Sequence, residues 1–230
     1  MNIIWLGHSG FRIEIGGEVL LVDPWLTGNP MFADGDRARA IEGASLVLLS
    51  HGHGDHSADA LAIARELSIP IAGIYDLMTW WGETEGVETI GFNKGGTIRI
   101  GQVAITMVNA THSSSVTGPD GPVYAGGEAG YMIAAEGKTI YFSGDTDVMA
   151  DMEILQALHA PEIGLLAAGG HFTMDMHRAA FAAKMFFEFE TVIPCHYQTF
   201  PLLEQSAEAL KAALPGVNVI EPEVMRPIAL

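Results

Sequence analysis

The feature that most constrains this chain is an uninterrupted apolar run at residues 46–49, Leu-Val-Leu-Leu, followed by Ser50 and then by His51, Gly52, His53, Gly54, Asp55 and His56. An apolar run that does not alternate predicts a short strand buried on both faces. Such a strand needs a covering layer on each side, which points to a layered α/β fold. Imidazole and carboxylate are good ligands for zinc and similar divalent ions. His51, His53, Asp55 and His56, carried on one turn after that strand, therefore read as a metal-ligand cluster. Gly52 and Gly54 have no Cβ and are expected to allow the sharp backbone path that this requires. The plainer alternative is a solvated His-rich loop.

Further strands are predicted along the first third of the chain, at 3–6, 11–15 and 19–22, with Gly16-Gly17 as a tight hairpin turn. A helix is predicted at 58–67, a strand at 69–73 and a short helix at 75–81. Two hairpins follow, pairing 97–100 with 103–108 and 131–135 with 139–142. The rest alternates: helix 149–158, strand 163–166, helix 177–187, strand 191–193, helix 202–214, strand 217–220. Two strand-rich stretches, each followed by strand–helix alternation, predict two mixed sheets with helices outside.

Composition bounds the function. At 230 residues and 49% hydrophobic, with mean hydropathy +0.26, the chain suits one globular domain spanning 1–230. No apolar run reaches bilayer-spanning length, so no membrane partner is expected. The N-terminus lacks the basic and apolar regions of a signal peptide, and the single cysteine, Cys195, allows no internal disulfide; both fit a cytoplasmic location. Eleven Lys and Arg against 28 Asp and Glu, a net charge of −17, leave no basic face for a phosphate backbone, so no nucleic-acid partner is expected.

Three more candidate ligands stand just beyond predicted strands, where sites on layered α/β folds form. They are His112 after 103–108, Asp145 after 139–142 and His196 after 191–193. Two metals need about six or seven ligands when a carboxylate is shared. His51, His53, Asp55, His56, His112, Asp145 and His196 match that number.

The order HxHxDH, His, Asp, His resembles the metallo-β-lactamase superfamily. Several stretches resemble, within it, metal-dependent hydrolases related to the ascorbate-6-phosphate lactonases. These are Leu6-Gly7-His8-Ser9-Gly10-Phe11, Val22-Asp23-Pro24, Thr27-Gly28-Asn29-Pro30, His112-Ser113-Ser114-Ser115, Phe172-Thr173-Met174 and the run Pro194-Cys195-His196-Tyr197-Gln198-Thr199-Phe200-Pro201. The resemblance implies an α/β fold, a four-layer αββα sandwich of two mixed β-sheets with the site at their shared edge. It implies that His51, His53 and His112 hold one metal, and Asp55, His56 and His196 a second, with Asp145 bridging. Asp23 then supports a ligand imidazole. His8, Ser113 and His171 are expected in the substrate pocket. The pattern departs at Gly170-His171, where the family has Asp-Asn.

The activity implied is hydrolysis of a small-molecule ester, lactone or phosphodiester by a hydroxide bridging two divalent metals, positioned by Asp55 and Asp145. Zinc is the first expectation, and manganese or iron also suit nitrogen and oxygen ligands. An iron-dependent redox enzyme of the same fold and a nuclease-type phosphodiesterase are the alternatives. The lactonase relatives assemble, and the high hydrophobic fraction agrees with a homo-oligomer.

Overall fold

A computed structural model describes residues 1–230. The first half contains β1 (Asn2–Gly7), β2 (Gly10–Ile15), β3 (Glu18–Val22), α1 (Arg37–Ile41), β4 (Leu46–Leu48), α2 (Gly54–Ser57), α3 (Ala60–Leu67), β5 (Ile71–Ile74), α4 (Tyr75–Thr84) and β6 (Thr89–Phe92). The second contains β7 (Thr97–Ile100), β8 (Val103–Val108), β9 (Ser115–Gly118), β10 (Gly121–Tyr124), β11 (Gly130–Ala135), β12 (Lys138–Phe142), α5 (Asp151–His159), β13 (Ile163–Ala167), α6 (Met176–Phe186), β14 (Thr191–Cys195), α7 (Glu208–Ala213), β15 (Asn218–Val219) and β16 (Pro227–Ala229).

The strands form two seven-stranded mixed sheets, in the orders β16-β1-β2-β3-β4-β5-β6 and β15-β14-β13-β12-β11-β8-β7, with β9 and β10 as a separate hairpin. Each sheet repeats one plan. Three antiparallel pairings are followed by three parallel ones, from β3 onward in the first sheet and from β12 onward in the second. The hairpin turns at Gly16-Gly17 and Glu136-Gly137 both hold positive φ at both central residues, the conformation whose twist matches the flanking strands. The parallel strands β4, β5, β13 and β14 are buried along their whole length, as their predominantly apolar sequences require.

The sheets meet face to face. Phe11 of β2 contacts Phe142 of β12 at a ring separation of 6.2 Å, and Phe92 of β6 stacks on Tyr131 of β11 at 6.0 Å. Helices α3 and α4 cover β4–β6 from outside, while α6 covers β13 with α5 and α7 beside it. One apolar cluster of 64 residues runs through both sheets and their helices, so the four layers share a continuous core.

The predicted elements recur with three differences. The helix expected at 202–214 is only α7, because residues 201–206 turn back on themselves: Leu203 N donates to Phe200 O, and Gln205 Nε2 donates to the carbonyls of Phe200 and Leu203. The helix expected at 58–67 is α3, preceded by the separate turn α2, which carries Asp55 and His56. Helix α1, strand β6, the strand pair β9–β10 and the edge strand β16 have no counterpart in the sequence reading. Pro122 and Pro227 interrupt the patterns of β10 and β16, and both strands lie where a proline costs few ladder hydrogen bonds.

Candidate metal centre

Two antiparallel steps restore direction, so β1, β3 and β4 point the same way, as do β8, β12 and β14. His8, Asp23 and His51 follow the ends of the first three strands. His112, Asp145 and His196 follow the ends of the other three. Chain direction brings each set of three to one end of its own sheet, and the contact of His56 with Asp145 at 3.3 Å shows that the two ends meet at one edge of the sandwich. His8, Asp23 and His196 sit at φ of 52°, 46° and 59°. The left-handed region costs a non-glycine residue roughly 1–2 kcal/mol, and such strain concentrates at functional sites.

Two sets of nitrogen and oxygen atoms converge. His51, His53 and His112 form one group, and His8, Asp55, His56 and His196 form another, each with its donor atoms within 4.8 Å of one another. Asp145 lies between them. Its Oδ2 is 3.0 Å from His196 Nε2, 3.3 Å from His56 Nε2 and 3.6 Å from His112 Nε2.

The next layer holds these groups in place. His56 Nδ1 donates to Asp23 Oδ2 at 2.8 Å. The remaining capacity of Asp23 is taken by Ser50, whose backbone N–H and hydroxyl both donate to it. Asp23 is thus spent on orienting His56 and the strand end, rather than offering a free oxygen. His8 Nε2 lies 3.0 Å from Asp55 Oδ2, and His8 Nδ1 lies 2.8 Å from Thr199 Oγ1.

The donor set fits a cation. His56 Nε2, His196 Nε2 and Asp145 Oδ1 are buried and have no hydrogen-bond partner. Buried polar atoms left unsatisfied cost about 1–3 kcal/mol each, and a divalent ion between them would remove that cost.

Electrostatics agree. Burial lowers the pKa of His51, His53 and His112, and brings His8 down to about 4, so these imidazoles are neutral at pH 7 and each carries one nitrogen lone pair. Neutral His8 donates from Nε2 to Asp55, which leaves Nδ1 to accept from Thr199. Burial opposes ionisation of Asp55 and Asp145. It is outweighed at Asp55 by the His8 hydrogen bond and at Asp145 by the His196 and His56 imidazoles, so both carboxyls lie below the usual range. Burial also opposes protonation of His56, but the carboxylates of Asp145 and Asp23 hold its pKa well above the ordinary value. Without a cation His56 is the proton that balances this site.

A family model described as a beta-lactamase superfamily domain matches residues 19–197, which span β3 through the loop bearing His196. The chain belongs to the metallo-β-lactamase superfamily. It is 64% identical over 230 residues to a UPF0173 metal-dependent hydrolase of Dinoroseobacter shibae, and 66% identical over 230 residues to one of Cereibacter sphaeroides, covering 100% of both chains in each case. Among solved structures it is similar to a metallo hydrolase of the archaeon Ignicoccus hospitalis, at 31% identity and TM-score 0.86, over 99% of this chain and 97% of that one. These relatives make the chain a metal-dependent hydrolase of the metallo-β-lactamase superfamily.

In this metallo-β-lactamase fold the seven expected ligands and Asp23 come together, and His8 joins them more closely than a pocket wall would. Two expected pocket residues do not reach the cluster. His171 is exposed, with φ of 43°, and packs edge-on against Phe172. It lines an open depression of about 630 Å³ with Asp175 and Glu204. Ser113 is exposed, and its neighbour Ser114 does the structural work: buried Ser114 Oγ accepts from Gly52 N and steadies the histidine loop. The glycine expectation also changes. Neither Gly52 nor Gly54 has positive φ; Gly52 is needed because a Cβ there would lie 2.8 Å from Ala125 Cβ, whereas Gly54 faces open space. Sequence reasoning missed Ser50 and Thr199. Their only sequence signal was a hydroxyl close to a candidate ligand, which is too common to single them out.

Proposed function

We propose that the protein hydrolyses a small-molecule ester or lactone at a two-metal centre, with zinc as the first candidate metal. The observation that carries this reading is Asp145 Oδ2, within 3.6 Å of Nε2 atoms drawn from both ligand groups. A carboxylate so placed would be shared by two cations. His51, His53 and His112 would hold one ion, and Asp55, His56 and His196 the other. Bound there, divalent ions would supply a water acidic enough to ionise near neutral pH and a Lewis acid for the scissile oxygen.

The chain's own residues have definable tasks. Asp55 stays ionised, so it accepts a hydrogen bond from a water and orients it; its low pKa makes it a weak proton acceptor. His8 fixes the direction of the Asp55 carboxylate from one side, while Thr199 fixes His8. Asp23 fixes the Nδ1–H tautomer of His56 and turns its Nε2 toward the centre.

A carbonyl substrate is favoured over a phosphodiester. Eight of the eleven Lys and Arg side chains are engaged in ion pairs with carboxylates elsewhere on the molecule. The test measures metal content by mass spectrometry together with turnover of lactones, esters and phosphodiesters by zinc-loaded and manganese-loaded protein. The expected result is about two ions per chain and ester or lactone turnover, both lost when His51→Ala and His112→Ala are combined. Retention of metal and hydrolysis by that double variant would sink the assignment.

A further inference from the structure

Beside the ligand cluster stands a pair of aromatic rings. Trp25 and Phe200 stack with centroids 6.1 Å apart and planes at 28°. Both rings also touch His8, at 5.4 Å and 5.8 Å, and His8 is the imidazole that reaches Asp55. The pair is therefore one imidazole removed from the carboxylate that orients the reacting water. Both rings are only half-buried, so apolar surface is left open next to the centre.

Trp25 and Phe200 come from segments far apart in sequence, and each segment is fastened. Buried Asp59 accepts three hydrogen bonds from the loop after Trp25: from Leu26 N at 2.7 Å, Thr27 N at 2.8 Å and Thr27 Oγ1 at 2.7 Å. Buried Asn29 donates to Trp25 O at 3.0 Å. The indole N–H is spent on Thr27 O at 2.9 Å, which leaves the ring nothing but its apolar faces to offer. The carbonyl of Phe200 accepts from Leu203 N and Gln205 Nε2. A loop anchored by a buried carboxylate loses little entropy when a ligand meets it, so the aromatic surface is preorganised.

From this geometry we infer that Trp25 and Phe200 form a subsite for a flat apolar group, an aryl or conjugated ring, on the acyl side of the substrate. The inference rests on the ester or lactone reading above and names the class of substrate it takes. Aromatic rings prefer offset-stacked or edge-on partners at centroid separations of about 4.5–7 Å. An aliphatic chain of similar size gains only the area term.

The experiment uses zinc-loaded protein and two esters with the same leaving group and acyl groups of similar size, methyl phenylacetate and methyl cyclohexylacetate. The expected result is a kcat/KM about tenfold higher for the phenylacetate ester, the size of one good aromatic contact. Trp25→Leu and, separately, Phe200→Leu should abolish that preference, while Trp25→Phe retains most of it. A second readout needs no turnover: calorimetric binding of phenylacetate against cyclohexylacetate, with the same preference and the same loss. Equal kcat/KM for the two esters in the native protein, or equal losses on both in the Leu variants with metal content unchanged, would overturn the subsite and leave hydrolysis standing. Selective binding of phenylacetate without turnover of any ester would overturn the hydrolase reading and leave the subsite standing.

Discussion

Asp23 Oδ2 lies 2.8 Å from His56 Nδ1, and both side chains are fully removed from solvent. On the other side of the same imidazole, Nε2 faces Asp145 Oδ2 at 3.3 Å. Asp23 follows β3 and Asp145 follows β12, the strands at which each sheet changes from antiparallel to parallel pairing. The two halves thus contribute topologically matching carboxylates, one to hold an imidazole and one to face the cation with it. Asp23→Asn keeps the volume but replaces an acceptor oxygen with an NH₂ or a weaker carbonyl. Loss of such a supporting carboxylate typically lowers metal affinity about 10–100-fold. Zinc retention against a calibrated chelator should fall by that factor, and unchanged retention would show that His56 is oriented without Asp23.

Asp145→Ala should do more than remove one ligand. Because its Oδ2 faces imidazoles of both groups, its loss should reduce bound metal from about two ions to at most one, and turnover with it. Metal stoichiometry after dialysis decides this. A variant that keeps two tightly held ions would mean that the two groups act without a shared carboxylate.

The glycines of the histidine loop separate backbone need from packing need. In Gly52→Ala the new Cβ would meet Ala125 Cβ at 2.8 Å, Val116 Cγ1 at 2.9 Å and Ser115 O at 3.0 Å. Overpacking of that kind costs about 1–3 kcal/mol. Gly54→Ala meets nothing within 4 Å and sits in the first turn of α2, where alanine is the better helix former. Thermal unfolding should show a lower Tm for the first variant and an unchanged or higher Tm for the second. The reverse order would mean that Gly54 supplies a backbone freedom that its φ does not reveal.

Much of this site was legible because ligands follow strands, and strands announce themselves through apolar runs. Residues 46–49 located His51, and the runs before Asp145 and His196 located those residues in the same way. What was not legible depends on non-local closure. Thr199 matters only because β14 brings it beside His8, 191 positions away in sequence. Asp59 reads as one more helical carboxylate until the Trp25–Asn29 loop folds over it. His171 stands apart from the cluster for the opposite reason: it follows an apolar strand like the residues that converge, but its chain has positive φ at Gly170, 68°, and its side chain is exposed. The first half of the predicted helix at 202–214 was lost to contacts of the Gln205 side chain with backbone carbonyls, which leave no periodic trace.

The metal-free protein should be least tolerant of acid between pH 6.5 and about 4. Burial lowers His8 from 6.5 to about 4 and lowers His51, His53 and His112 as well. Below pH 6.5 the unfolded chain binds protons that these buried imidazoles refuse, so stability falls as pH falls, until each folded-state pKa is passed. His8 alone would remove about 3 kcal/mol by pH 4. His56 works in another window. Its pKa is raised by Asp145 and Asp23 against the opposing effect of burial, so its contribution is fully present below pH 6.5 and is lost only as pH rises above it. Asp145 and Asp55 have lowered pKa values, so what they contribute persists above about pH 4 and is lost only in stronger acid. Urea unfolding of chelator-treated protein should therefore give its greatest stability near pH 6.5 and a steep loss toward pH 4.5, with His8→Gln flattening the acid side. A metal-free protein equally stable at pH 4.5 and 6.5 would show that these imidazoles are hydrated rather than buried in the folded chain.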